Sequence, residues 1–157
     1  MKDRPEYTAR KAFFDRVLTV FGRKPVLEAL HTPQLSLHAL HVADSNREAT
    51  RRRLTVLRHS RTELARISRN GRQDQGIALD ILCPAFARIE DYLQAPRTAP
   101  QRLLALDGIT NPQNLGMIIR SAAAGNIDGI LLAKRGNAAL GPLVIKASAG
   151  TLYRAPV

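Results

Sequence analysis

Short apolar runs alternate with amphipathic stretches in the last third of the chain, and this alternation most restricts the possible folds. Leu103–Leu106 and Gly129–Leu132 resemble buried strands, whereas Leu115–Ala124 has helical spacing. Pro142–Ala149 predicts another helix, and Leu152–Val157 predicts the start of a third strand. Strands that alternate with helices form parallel sheets with crossover helices, so we predict an α/β fold. Because two or three strands do not complete such a sheet, we expect this part to be incomplete.

The first half of the chain predicts a smaller arrangement of helices and strands. Residues 8–20 carry apolar side chains at helical spacing, and Gly22 ends that predicted helix. A second helix is predicted from Pro25 to about Thr32, followed by a strand over Leu35–Val42. A third helix begins at a Ser45–Glu48 capping box and carries Leu54, Leu57 and Leu64 inward. The last predicted element of this half is a strand over Gly76–Leu82.

A proline-containing segment separates the two parts. Ala95–Pro100 has a proline at positions 96 and 100 and no apolar periodicity, which favours an extended connection. We therefore predict a helical extension over 1–21, a small α/β domain over 22–85, a linker over 86–101 and the incomplete sheet domain over 102–157.

The charge of the chain indicates a polyanionic partner. Its formal net charge is +11, and most of this excess lies in residues 1–72. Arginine supplies most of the charge, and its planar fork suits phosphate oxygens. The densest predicted stripe contains Arg51, Arg52, Arg58 and Arg61, although a solvated basic face without a partner has the same pattern. Few aromatic residues argue against a platform on which bases stack.

Other features exclude several classes of protein. The longest apolar runs are too short to cross a bilayer, and the charged first residues do not resemble a signal peptide. The single cysteine, Cys83, cannot form an internal disulfide and offers no metal cluster. We expect a cytoplasmic protein without a metal site.

The segment after Leu103–Leu106 contains the residues best suited to chemistry. Ligands of open α/β sheets bind at the carboxyl ends of the strands, which is where Asp107 and the following polar loop lie. Asn114 suits the cap of the next helix, and Gly116 and Arg120 are one turn apart. A phosphate or ribose could approach the Arg120 guanidinium across the glycine. The alternative is a capped helix with a solvated arginine.

Four segments in the right order resemble the SpoU/TrmH branch of the SPOUT methyltransferases. The first signature, Asp-x-x-x-x-Pro-x-Asn-x-Gly-x-x-x-Arg, is matched by Asp107, Pro112, Asn114, Gly116 and Arg120. Lys146–Gly150 is similar to the Lys-Ala-Ser-x-Gly segment of that family. Gly22–Leu30 resembles the opening of its substrate-binding domain, with Lys24 in place of asparagine. Asp74-Gln75-Gly76 resembles the closing His-Gln-Gly, with Asp74 in place of histidine.

The resemblance implies the fold and the reaction. Residues 22–85 should be similar to the small α/β domain of kink-turn-binding ribosomal proteins, and residues 102 onward should begin a SPOUT domain with a trefoil knot. In relatives that knot binds S-adenosylmethionine, the protein is a homodimer, and the methyl group passes to a ribose 2′-oxygen. Relatives act on both tRNA and ribosomal RNA, and the separate N-terminal domain favours ribosomal RNA as the substrate.

The resemblance also implies roles for individual residues. Arg120 would orient the 2′-hydroxyl and stabilise developing charge, and Asn114 would support the site by capping its helix. The implied RNA-binding residues are Arg23, Lys24, Arg51, Arg52, Arg58, Gln75 and Lys146. The alternative for Gln75, which the residues themselves favour, is a turn residue, and Lys146 could equally be a surface lysine.

The chain departs from the family at the donor site. The later Gly-x-Glu and Ser-Leu-Asn-Val-Ser segments do not occur in it. We therefore expect S-adenosylmethionine to bind downstream of residue 157, and this chain alone to be inactive. A non-catalytic RNA-binding protein with a vestigial methyltransferase domain is the alternative. A Rossmann-type enzyme is disfavoured because the glycine fingerprint is absent.

Overall fold

The computed structural model describes residues 5–45, 54–96, 98–99 and 101–157, which form a mixed α/β structure. They divide into two compact units. One unit spans Val17–Leu82, and the other contains the first helix together with Cys83–Val157. None of the helices in the described ranges is long and apolar enough to cross a membrane.

The unit Val17–Leu82 is built on a four-stranded sheet. Its strands are β1 (Val17–Phe21), β2 (Ser36–Ala43), β3 (Thr55–His59) and β4 (Ile77–Leu82), in the order β1-β4-β2-β3. Strand β4 lies antiparallel to both β1 and β2, whereas β2 and β3 are parallel. The last strand in the chain therefore occupies a central position, and all but one of its side chains are buried.

Two helices pack on this sheet. Helix α2 (Arg23–Leu30) buries Val26 and Ala29, and helix α3 (Arg61–Ser68) buries Leu64 and Ser68. Leu64 packs against Ala43 and Ala78 of the sheet. Because side chains alternate along a strand, Val42 and Leu79 lie on the opposite face, where both are fully buried. Both faces of the sheet therefore contribute to the core of this unit.

Two sequence predictions for this region are wrong. The helix predicted over residues 8–20 ends early, because α1 covers Pro5–Phe14 and Val17–Phe21 is a strand. This run has β-branched and aromatic side chains and alternating burial, and pairing with β4 outweighs its helical spacing.

The helix predicted from residue 45 onward is a strand over Thr55–His59, but it is a helix over Arg61–Ser68, where Leu64 is buried as predicted. Thr55–His59 pairs with β2, and a capping box formed by Ser60 and Glu63 begins α3 instead. Leu57 is 40% exposed rather than inward-facing. Glu48, in the predicted capping box, lies outside the described residues.

The second unit contains a parallel pair of strands, as predicted. Strands β5 (Leu103–Leu106) and β6 (Gly129–Leu132) are joined by the crossover helix α5 (Pro112–Ala124). Helix α4 (Ile89–Gln94) precedes them and α6 (Pro142–Ala147) follows. The predicted third strand over Leu152–Val157 is wrong: Thr151–Tyr153 is a 3₁₀ helix. Near its end, the Pro156 carbonyl accepts a 2.7 Å hydrogen bond from the Ile130 amide of β6.

Candidate functional site

The loop after β5 is held to the loop after β6 by one asparagine. The Asn137 side-chain oxygen accepts a hydrogen bond from the Ile109 amide at 2.9 Å, and its nitrogen donates to the Leu106 carbonyl at 3.3 Å. The same nitrogen lies 3.2 Å from the Ala133 carbonyl, and the Ala138 amide donates to Ile109 at 2.8 Å. Both loops lie at the carboxyl ends of parallel strands, where open α/β sheets bind ligands. No sequence pattern had singled out Asn137.

Helix α5 is capped by Asn111, so the prediction that Asn114 caps it is wrong. The Asn111 side-chain oxygen accepts hydrogen bonds from the amides of Gln113 at 2.9 Å and Asn114 at 3.1 Å. Pro112 then occupies the first helical position, where its missing amide hydrogen has no cost. The Asn-Pro pair is the sequence signal that identifies this start. Asn114 is an exposed residue of the first turn.

Gly116 is a packing residue rather than an opening beside Arg120. It is buried against α6, and a Cβ built on it would lie 2.5 Å from the Ala147 Cβ and 2.7 Å from the Val144 carbonyl oxygen. The glycine allows α5 and α6 to approach closely. The prediction of open space for a phosphate at this position is therefore wrong.

The two predicted catalytic residues lie apart on α5. Arg120 is exposed, and no described residue forms a hydrogen bond or ion pair with its side chain. Asn114 lines an open, mostly apolar groove of about 400 Å³ together with Leu104, Met117, Ile118, Ser121 and Ala122. Arg120 does not line this groove. The Arg120 guanidinium is therefore exposed to solvent, but it does not line the groove that Asn114 lines.

Three predicted RNA-binding residues surround the start of α2. Arg23 and Lys24 are exposed in its first turn, which has no acidic residue and no side-chain cap. The Gln75 side-chain oxygen accepts a 2.8 Å hydrogen bond from the Arg23 amide. Cations beside a helix N-terminus create a positive surface suited to phosphate oxygens.

The remaining predicted cations are dispersed. Arg58 is exposed on β3, not on a helix as predicted, and Lys146 is exposed in the last turn of α6. Arg61 pairs with the buried Asp74 at 3.0 Å through a side chain that is 60% exposed. Arg51 and Arg52 lie outside the described residues.

A polar network that the sequence did not predict crosses the four-stranded sheet. Asp80 accepts hydrogen bonds from Thr19 at 2.6 Å and from His41 at 3.0 Å, and the other His41 nitrogen lies 3.0 Å from a His59 ring nitrogen. Burial alone would raise the pKa of Asp80, but the hydrogen bonds from His41 and Thr19 outweigh it and lower that pKa. The folded structure therefore favours the charged form of the Asp80 carboxyl group. In the described part of the chain, no group of three or more His, Cys, Asp or Glu side chains is arranged to hold a metal ion.

Two family profiles match most of the chain. Residues 19–82 match RNA 2′-O ribose methyltransferase substrate binding, and residues 101–157 match the SpoU rRNA Methylase family. The first match coincides closely with the unit Val17–Leu82, which carries the cations beside α2.

Curated relatives from mycobacteria match nearly the whole chain. An uncharacterised tRNA/rRNA methyltransferase of Mycolicibacterium smegmatis is 35% identical over 99% of this chain and 52% of its own length. One from Mycobacterium leprae is 37% identical over 91% of this chain and 49% of its own. The chain thus spans about half the length of the curated relatives it matches.

A solved structure supports the same fold. The crystal structure of the SpoU methyltransferase AviRb from Streptomyces viridochromogenes, in complex with the cofactor AdoMet, has a TM-score of 0.51 and 19% identity. It is matched over 98% of this chain and 59% of its own length.

Proposed function

Because this chain is a member of the SpoU/TrmH family, we propose that it is the RNA-holding portion of an RNA ribose 2′-O-methyltransferase. The exposed cations beside the start of α2, within the segment that matches a substrate-binding profile, carry this proposal. We propose ribosomal RNA rather than tRNA as the substrate, because a separate RNA-holding domain suits a large RNA. We place the reaction in the cytoplasm.

The unit Val17–Leu82 would bind the RNA backbone. Arg23 and Lys24 would contact phosphate groups, and the exposed Gln75 beside them would add a hydrogen bond. Arg58, Arg51, Arg52 and Lys146 are further proposed RNA contacts. The proposed counterpart of this unit is the small domain of kink-turn-binding ribosomal proteins, which also holds folded RNA.

Arg120 is the proposed catalytic residue. An arginine cannot serve as a base in a protein, because its pKa lies above about 12. It can, however, orient the reacting ribose and stabilise the charge that develops on the 2′-oxygen. Its exposed side chain has no partner among the described residues, so it could contact the RNA directly. Asn114, exposed in the first turn of the same helix, would support the site from the groove side.

The methyl donor is proposed to be S-adenosylmethionine, which would supply the methyl group from its sulfonium sulfur. The groove on α5 does not fit this donor on its own. The groove on α5 is open, and no side chain that lines it is charged, so nothing there would pair with the amino and carboxylate groups. We therefore propose that the donor site, the trefoil knot and the homodimer contacts are properties of the longer family members, and that these 157 residues alone are inactive.

A non-catalytic RNA-binding protein is the second candidate. The lack of charged side chains in the groove on α5 favours it. The two functions differ in what they require of Arg120. In the methyltransferase, Arg120→Ala would abolish methylation by the longer protein, whereas in an RNA-binding protein it would leave RNA affinity and function nearly unchanged.

Two titrations of this chain test the proposal. We expect no heat of binding with S-adenosylmethionine, and we expect tight binding to a fluorescently labelled RNA stem-loop. A DNA duplex of the same sequence is the control for charge alone, because it has phosphates but no 2′-hydroxyl. Donor binding by this chain would contradict the proposed division of sites. Equal affinity for RNA and DNA would contradict a specific RNA-holding role.

A further inference from the structure

A buried carboxylate anchors the loop that follows α3. Asp74 is 1% exposed, and its Oδ2 atom accepts a hydrogen bond from the Ser68 hydroxyl at 2.9 Å. Its Oδ1 atom accepts from the Gly76 amide and from an Arg61 guanidinium nitrogen, both at 3.0 Å. Both oxygens are occupied by groups of the chain itself. Asp74 therefore cannot serve as a direct contact for RNA.

The hydrogen bond from Gly76 to Asp74 determines the conformation of the residue between them. A side chain that bonds the amide two residues later forms an Asx turn. Gln75, inside that turn, has φ of 53°, in the left-handed region that residues other than glycine rarely adopt. The Ile77 amide closes the same turn by donating to the Asp74 carbonyl at 3.0 Å. The buried carboxylate therefore stabilises a backbone conformation that Gln75 would otherwise avoid.

This conformation places Gln75 against the start of α2. Its side-chain oxygen accepts from the Arg23 amide at 2.8 Å, so its amide nitrogen faces no partner among the described residues. The backbone at Gly22 lies close to the backbone at Gln73, because a Cβ built on Gly22 would be 3.4 Å from the Gln73 carbonyl oxygen. The Gln75 nitrogen can thus donate to an RNA oxygen next to Arg23 and Lys24.

We propose that Asp74 is a positioning residue for RNA binding that acts through Gln75. This inference rests on the proposed function, and it names a residue that does not touch the RNA. Asp74 holds Gln75 in the left-handed turn, and Gln75 then presents its amide nitrogen beside the cations of α2. Without the carboxylate, the Gln75 side chain leaves this orientation while the sheet beneath it stays folded.

A double-mutant cycle on the full chain tests this coupling. The probe is a fluorescently labelled RNA stem-loop with an internal bulge. We expect Asp74→Ala, which removes the oxygen that accepts from the Gly76 amide, and Gln75→Ala each to weaken binding about 5- to 10-fold, the effect of losing one or two hydrogen bonds. If Asp74 acts through Gln75, the double variant binds no more weakly than Gln75→Ala alone. Independent, multiplying losses in the double variant would overturn the inference.

Two further variants separate positioning from folding. Ser68→Ala removes one hydrogen bond from Asp74 at a buried position that RNA cannot reach, so it replaces Asp74→Ala in the cycle if that variant does not fold. Asp80→Asn removes another buried carboxylate of the same unit, and we expect it to lower the melting temperature without weakening RNA binding. Weaker RNA binding by Asp80→Asn, equal to that of Asp74→Ala, would contradict the inference.

The experiment also distinguishes this inference from the proposed function. Unchanged affinity in Asp74→Ala and Ser68→Ala, with tight binding by the unmodified chain, overturns the inference alone. A lack of RNA binding by the unmodified chain overturns the proposed function, and the role of Asp74 with it.

Discussion

Asp80 shows how one buried carboxylate can link stability to pH. It is 6% exposed, and it is held in its charged form by Thr19 and His41. Its pKa is lower in the folded chain than in the unfolded one, so the folded state binds a proton less readily. The stabilisation it provides is present above the unfolded pKa, about 4. It is lost as the pH falls from there through the folded pKa.

We expect Asp80→Asn to reduce this acid dependence. At neutral pH the free energy of unfolding should fall by about 1–3 kcal/mol, because the buried hydrogen-bond partners are left poorly paired. Below about pH 4 the difference from the unmodified chain should shrink. Urea unfolding at several pH values measures both effects. The control is Asp44→Asn, which alters an exposed aspartate of the same unit; an equal effect there would contradict the explanation.

Cys83 should be unreactive in the folded chain. Burial raises the pKa of its thiol to about 11, so almost none of the reactive thiolate is present near neutral pH. We expect a thiol-specific reagent to modify the native chain slowly and the chain in guanidinium rapidly, as followed by absorbance. Comparable rates in the two conditions would show that the thiol is accessible in the native fold.

At the scale of the element, the two asparagines at the start of α5 have different roles. Asn111 caps the helix, so Asn111→Ala should lower the free energy of unfolding by about 1 kcal/mol. Asn114→Ala is the matched control, because the same side chain is lost from an exposed position without a capping bond. Its effect should stay within about 0.5 kcal/mol. Urea denaturation distinguishes the two, and a larger loss for Asn114→Ala would contradict the assignment.

The contact between α5 and α6 requires a glycine at position 116. Alanine is the better helix former by about 1 kcal/mol, but here its methyl group would meet the Ala147 Cβ and the Val144 carbonyl. Neither atom is the end of a flexible side chain, so the helices would have to separate. We expect Gly116→Ala to destabilise the chain by about 1–3 kcal/mol in thermal unfolding. Met117→Ala, at an exposed position on the same helix, should have little effect.

At the scale of the whole molecule, the net charge of +11 makes a prediction about affinity. RNA binding through phosphate contacts releases counterions, so the affinity should fall by about tenfold or more between low and physiological salt. Fluorescence anisotropy over a series of KCl concentrations measures this slope. The variant Arg23→Ala/Lys24→Ala should reduce the slope as well as the affinity. A slope that the two substitutions leave unchanged would place the phosphate contacts elsewhere.

The sequence predicts correctly those elements in which the spacing of apolar residues and the flanking residues indicate the same type of secondary structure. The strands Leu103–Leu106 and Gly129–Leu132 and the helix between them are confirmed, because short buried runs flank an amphipathic stretch there. Val17–Phe21 and Thr55–His59 were misassigned, because only their distant partners in the sheet make them strands. The spacing of apolar residues within a short segment cannot reveal which distant strand that segment pairs with.

The candidate site was predictable only in its residue types. The motif from Asp107 to Arg120 identified the right loop and helix, but the roles of Asn114 and Gly116 were assigned from spacing alone. The structure instead gives the cap to Asn111 and the packing role to Gly116. Asn137 was missed because its contacts join residues distant in sequence, and no local pattern marks such a residue.

The strand order β1-β4-β2-β3 also has a consequence for synthesis on the ribosome. Val17 at the start of β1 pairs with Leu82 at the end of β4, and β4 is also the only described strand that joins β1 to the rest of the sheet. A nascent chain that has not yet exposed Leu82 has an incomplete sheet with unpaired edges. Because such non-local pairing slows folding, this unit should complete its sheet only after Leu82 has been exposed, and its strand edges would stay unpaired until then.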